Sequence, residues 1–130
     1  MTKSILASDY DALPLRLLSD AGSSEAEEWL HRQDGVIRTL GEFTPEASRQ
    51  LVEPFSKAGG QVFVVKVHRA TRGAINGDET RESTGHLVVR LPTDATGRAR
   101  VFRLEAKHAK SIGYDPTQDV GQKLLYIKLD

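Results

Sequence analysis

The residues best suited to acid-base chemistry or metal ligation are four histidines, His31, His68, His86 and His108. None stands in a His-x-x-x-His or His-x-His spacing that offers two ligands from one element. His68 and His86 come together only if the segment between them folds back as a hairpin, with Glu82 nearby. At the base of a polar loop they read as exposed strand histidines, so no metal is expected. Serines stand at positions 4, 8, 19, 23, 24, 48, 56, 83 and 111, none inside a Gly-x-Ser-x-Gly elbow. The absence of cysteine excludes a thiolate nucleophile, a disulfide framework and thiolate zinc sites together. Carboxylates gather at Glu25, Glu27 and Glu28, where a helix dipole accounts for them, and at Asp78 and Glu79, which flank a turn. The strand-to-helix turns at Gly41–Thr44 and Pro92–Gly97 lack the spaced glycines of a phosphate cradle. No catalytic residue and no cofactor is expected, and a binding role is favoured over an enzymatic one. The charges that remain concentrate between residues 69 and 84, with Arg69, Arg72 and Arg81 set against Asp78, Glu79 and Glu82. They suit either a solvated hairpin or a recognition loop.

Composition narrows the partners. The chain has 130 residues, 38% hydrophobic and 28% charged, the profile of a packed domain. Its 18 basic and 18 acidic residues cancel, so the basic excess that nucleic acid demands is missing from the totals. Apolar runs fall far short of the roughly 20 residues of a membrane span. Met1–Tyr10 lacks the basic stretch and apolar run of a secretory signal. The expectation is a soluble cytoplasmic protein binding neither nucleic acid nor membrane.

The elements that would position these residues divide at position 35. Residues 1–34 read as an N-terminal extension, its leucines broken by Asp9, Asp11 and Pro14, with a short helix over 23–32. That helix would use Ser24 as cap, Glu27 three residues on, and Trp29 and Leu30 as its inner side. Residues 35–130 read as an α+β sandwich. A short strand at 35–40 precedes a helix that starts at Thr44-Pro45-Glu46, carries Ala47, Leu51, Phe55 and Ala58 on one face, and stops at Gly59-Gly60. Pro54 should kink or shorten it. Strands at 61–68 and 85–91 flank an arm with Asn76-Gly77 at its tip, a pair suited to a type I′ turn. A helix from about 96 to 112, with Ala99, Phe102, Ala106 and Ala109 as its stripe, ends at Gly113, and a strand follows at 124–129. The order β-α-β-β-α-β is that of the ferredoxin-like split βαβ fold, a four-stranded antiparallel sheet with two helices on one face.

An uninterrupted hairpin on Asn76-Gly77 opposes residues whose numbers sum to 153, and both faces are then apolar. Val62, Val64, Leu87, Val89 and Leu91 share one face, and Phe63, Val65, Val67 and Val88 the other. Gathering the apolar residues on one face requires an odd shift, such as a bulge, and even then Val62, Val64, Val88, Leu124 and Tyr126 remain on the face without helices. A face this apolar needs a cover, either the extension with its leucines and Trp29 or a second copy of the chain. The candidate interaction residues are therefore Val62, Val64, Val88, Leu124 and Tyr126 on the sheet, with Arg69, Arg72 and Arg81 on the arm.

Two families of this architecture are excluded by their own motifs. Gly85–Leu91 has no aromatics where an RNA-recognition motif needs them, and Leu40–Phe43 lacks the arginine-bearing glycine-rich loop of an acylphosphatase. The layout of residues 35–130 is similar to ACT-like and PII-like regulators, the latter having a long loop where Arg69–Thr84 lies. The resemblance implies effector binding and oligomerisation. The leading expectation is a noncatalytic interaction or regulatory module that binds a protein partner or itself. The alternative is a small-ligand sensor of ACT-like or PII-like type, and a small enzyme ranks third.

Overall fold

The computed structural model describes residues 7–73, 75 and 77–129. Among these lie four helices, α1 (Ala7–Ser19), α2 (Ala26–Leu30), α3 (Pro45–Lys57) and α4 (Ala95–Ser111). The strands are β1 (Ser24–Glu25), β2 (Ile37–Leu40), β3 (Gln61–Val65), β4 (His68–Arg72), β5 (Glu79–Thr84), β6 (His86–Arg90) and β7 (Leu124–Lys128). They form an antiparallel four-stranded sheet, β1-β3-β6-β7, and a three-stranded sheet, β2-β5-β4. The α+β class is as expected, but the four-stranded sheet is differently composed. β2 runs parallel to β5 in the smaller sheet, and the edge beside β3 is taken by Ser24 and Glu25, opposite Val64 and Phe63. That pairing also replaces the expected cap of α2. Its N-cap is Glu25, without a side-chain hydrogen bond, because Ser24 is held in extended pairing.

The two sheets share one bent ribbon. β3 and β6 pair with Val64 opposite Leu87, and β4 and β5 with His68 opposite Ser83. Paired numbers sum to 151 on both sides of the bend, two less than a two-residue turn at Asn76-Gly77 requires. Arg72 pairs with Glu79, so six residues connect the strands; Asn76 itself lies outside the described residues. At the bend Lys66 adopts φ 54°, and the Thr84 hydroxyl donates to the Val65 carbonyl while accepting from His86 N at 3.1 Å. This hydroxyl satisfies backbone groups that the bend takes out of the ladder.

An even register shift leaves side-chain faces unchanged, so the sheet is apolar on both sides. Val62, Val64, Leu87, Val89, Leu125 and Ile127 join Trp29, Val52, Phe55 and Val101 in the main core. Val65, Val88 and Leu124 form a second core with Leu17, flanked by Leu18 and Tyr126. The expected placement of Val62 and Val64 on the helix-free face is thus corrected: at 2% and 0% exposure they lie on the main core side. The cover of the other face is α1, with Trp29 buried in the opposite core. The Asp11 carboxylate pins this helix to the sheet edge by accepting from Leu124 N at 2.9 Å and Lys123 N at 3.1 Å.

Helices α3 and α4 cover the main core. Thr44 caps α3 by accepting from Ala47 N at 3.1 Å, Pro45 occupies the first turn, and Gly59 at φ 96° ends it. The helix continues past Pro54 to Lys57. Ser48 joins α3 to β2, accepting from Leu40 N at 2.8 Å and donating to Thr44 O at 2.7 Å. In α4 the buried stripe is Gly97, Val101, Glu105 and Ala109, whereas Ala99 is exposed. Close approach sets this rotation. A Cβ on Gly97 would lie 2.7 Å from the carbonyl oxygen of Ala58, so only glycine allows α4 to rest against the end of α3 here.

Candidate functional site

The rotation of α4 decides which charges reach solvent. Arg100, Arg103, Lys107 and Lys110, spaced three, four and three residues apart, form one exposed stripe about 15 Å long. None of the four makes an ion pair among the described residues. α4 carries one acidic residue, Glu105, and it faces inward. The chain's zero net charge therefore hides a helix with a strongly basic outer face.

Beside this stripe runs a groove between α3 and α4. A cavity of about 460 Å³ lies over Pro54, Ala58 and Leu104, rimmed by Lys57, Arg100, Arg103 and Lys107. A second, of about 370 Å³, shares Pro54, Leu104 and Lys107 and extends past Leu51 and Phe55 to Phe43 and His108. The helices touch where Gly97 meets Ala58, and the groove runs away from that contact. Its floor is aliphatic and aromatic, and one rim is cationic. Phe43 is 39% exposed at the far end. His108 Nε2, shielded from water there, has no hydrogen-bond partner among the described residues. Lys57 is offset by Glu53 at 2.7 Å, an exposed pair of small energetic weight. The arrangement can dock an acidic segment with an apolar face.

The residues singled out by sequence do not converge. Val88, Leu124 and Tyr126 meet beneath α1, where Tyr126 is hydrogen-bonded to and stacked on His86. Arg69, Arg72 and Arg81 lie exposed on the arm. Arg81 pairs with Glu79 at 2.7 Å, and Arg69 reaches Glu82 at 3.3 Å. Sequence reasoning missed Arg100, Arg103, Lys107 and Lys110, although their spacing signals a single helical face.

A polar cluster at the junction of α2 with the smaller sheet has a structural role. Arg38, its side chain 4% exposed, donates to both Asp34 oxygens at 2.7 Å and to Glu82 Oε1 at 2.8 Å. The Trp29 indole donates to the same Glu82 oxygen at 3.2 Å. Hydrogen bonds from Arg38 hold the Asp34 carboxyl well below the carboxylate range, and Asp34 in turn raises Arg38.

Among the described residues, Glu105 is the one carboxyl that burial dominates. It is 5% exposed and accepts from Thr117 N and Oγ1, each at 3.1 Å, which anchors the loop after α4. Burial pushes its pKa up, against the Thr117 hydrogen bonds and the neighbouring His108. A folded-state pKa above the unfolded value gives stability that is fully present below the unfolded pKa and lost as pH rises through the folded one. Glu105→Gln keeps an acceptor for Thr117 without the charge. It is expected to raise the melting temperature at about pH 7.5 and to change it less at about pH 4. Thermal melts at both pH values check this; equal shifts would contradict the burial account.

Among the described residues no group of three or more His, Asp or Glu side chains is arranged to hold a metal ion, and no helix is long and apolar enough to cross a membrane.

The chain matches no protein-family model, no curated protein and no solved structure. The functional reading therefore rests on the groove and its charges.

Proposed function

We propose that the protein is a noncatalytic interaction module that docks an acidic amphipathic helix of a partner protein in the α3–α4 groove. The observation that carries this reading is the unpaired stripe Arg100, Arg103, Lys107 and Lys110 beside the apolar floor of Pro54, Ala58, Leu51 and Leu104. Helix-in-groove recognition needs both features, a floor for apolar anchors and a rim that fixes orientation and speeds encounter. A phosphate backbone would use the rim and leave the floor empty. Binding of single strands relies on aromatic platforms, and Phe43 is the sole aromatic exposed along the groove among the described residues. The cytoplasmic address and the variant split βαβ layout belong to the same proposal.

The test is a titration of the fluorescently labelled full chain with a synthetic helical peptide of about 14 residues, leucines at i, i+3, i+4 and i+7 flanked by glutamates. Saturable one-to-one binding that weakens by about tenfold between low and physiological salt is expected. Tighter binding of a single-stranded oligonucleotide than of the peptide would contradict the reading. So would formation of dimers that mask the groove.

A further inference from the structure

A further cavity, separate from the α3–α4 groove, has the makings of a small-molecule site. It measures about 620 Å³ and lies where α1 meets the end of β6 and the loop before β7. This volume is within the range of ligand pockets, about 300–1,000 Å³. Its walls are apolar, with Leu15 and Leu18 from α1 facing Leu91, Pro92 and Leu124. Leu15 is 56% exposed, a large side chain left to solvent on a helix whose other face is packed.

The loop wall is preorganised. Gln122, 1% exposed, accepts from Val120 N at 2.8 Å and donates to Gln118 O at 2.9 Å. Arg98 holds the same loop by donating to Gln122 O at 2.9 Å and to Asp119 Oδ1 at 2.5 Å. Asp119 also accepts from Gly121 N at 3.0 Å. A loop fixed by its own polar groups keeps the cavity open without an occupant.

The charge balance at the mouth is positive. Asp11 is already committed to the amides of Lys123 and Leu124, and Arg98 is neutralised by Asp119. Lys123 and Arg90, both exposed, outweigh the remaining Asp11 charge, with Arg90 lying over the Phe63 ring at 5.7 Å. We propose that this cavity binds a free small amphiphile, an acyl or aryl group carrying a carboxylate or phosphate. The apolar body lies between Leu15, Leu18, Leu91 and Leu124, and the anion meets Arg90 and Lys123. Because α1 supplies one wall, occupancy also fixes α1 on the sheet.

The experiment is an amide-resolved NMR titration of the full chain with decanoate and with decyl phosphate, both below micelle formation. Shifts that saturate as one site at Leu91, Thr93, Gly121, Lys123 and Leu124 are expected, with the α3–α4 groove unmoved. Arg90→Ala, an exposed position, should weaken binding about tenfold, and Leu15→Glu should abolish it. Equal response to decyltrimethylammonium would overturn the proposal, as would no saturable shift, or shifts confined to α3 and α4. Capture by phosphatidylglycerol vesicles without response to free decanoate would overturn it too, by assigning the patch to a membrane surface. These outcomes are independent of peptide docking in the helix groove.

Discussion

Leu17→Ala is expected to destabilise the protein by about 3 kcal/mol and to free α1 before the rest of the fold. Leu17 is 4% exposed and is α1's largest contribution to the second core, packed with Val65, Val88 and Leu124. A 13-residue helix with a proline inside it is marginal on its own, so its order comes from this packing and from Asp11. Amide exchange should rise across residues 7–19 while the amides shared between β3 and β6 stay protected. The uncovered face of Val65, Val88 and Leu124 should then promote self-association. Unchanged exchange in α1, with a stability loss below about 1 kcal/mol, would show that α1 does not close the sheet.

Arg38→Met is expected to cost a similar amount, about 3 kcal/mol, for a different reason. The substitution keeps apolar volume but leaves Glu82, its side chain 14% exposed, with only the longer 3.3 Å contact to exposed Arg69, and leaves the exposed Asp34 without its cation. Trp29 loses the fixed carboxylate that its indole meets, so the junction of α2 with the smaller sheet loosens. Chemical denaturation checks the magnitude. The double variant Arg38→Met/Glu82→Gln should recover part of the loss, since it removes a carboxylate that Arg69 alone compensates poorly. Additive losses in the double variant would show that the two residues do not act as a pair.

Much of the fold was legible where one physical signal dominated. Thr44-Pro45 and Gly59 bound α3, Gly113 follows α4, and the alternation in Leu124–Leu129 sorts Leu125 and Ile127 from Leu124 and Tyr126 as the two cores do. Apolar residues on both sides of β3 and β6 called for a cover, and α1 supplies it. The helix itself was hidden because its inward stripe, Ala7, Tyr10, Asp11, Pro14, Leu17 and Leu18, includes a carboxylate and a proline, while Leu13 and Leu15 stay largely exposed. A search for apolar periodicity follows the wrong leucines. The stripe of α4 was misplaced for a related reason. Gly97 and Glu105 sit on its buried side, one through close backbone approach and the other through Thr117, and neither counts as hydrophobic. That same rotation hid the site. Summed charge said nothing of where charge lies, and the basic face of α4 appears only once its inner side is known. The strand pairing of β2 depends on a bend at Lys66 and Thr84 that no local propensity encodes.

The most direct test of groove docking is a charge swap. Arg103→Glu/Lys107→Glu changes two exposed positions and should leave the fold intact. The variant is expected to bind the acidic amphipathic peptide at least about tenfold more weakly than the wild type. It should instead bind a peptide with the same leucines and lysines in place of glutamates, a preference the wild type does not share. Equal affinity of both proteins for the acidic peptide would contradict docking in the α3–α4 groove.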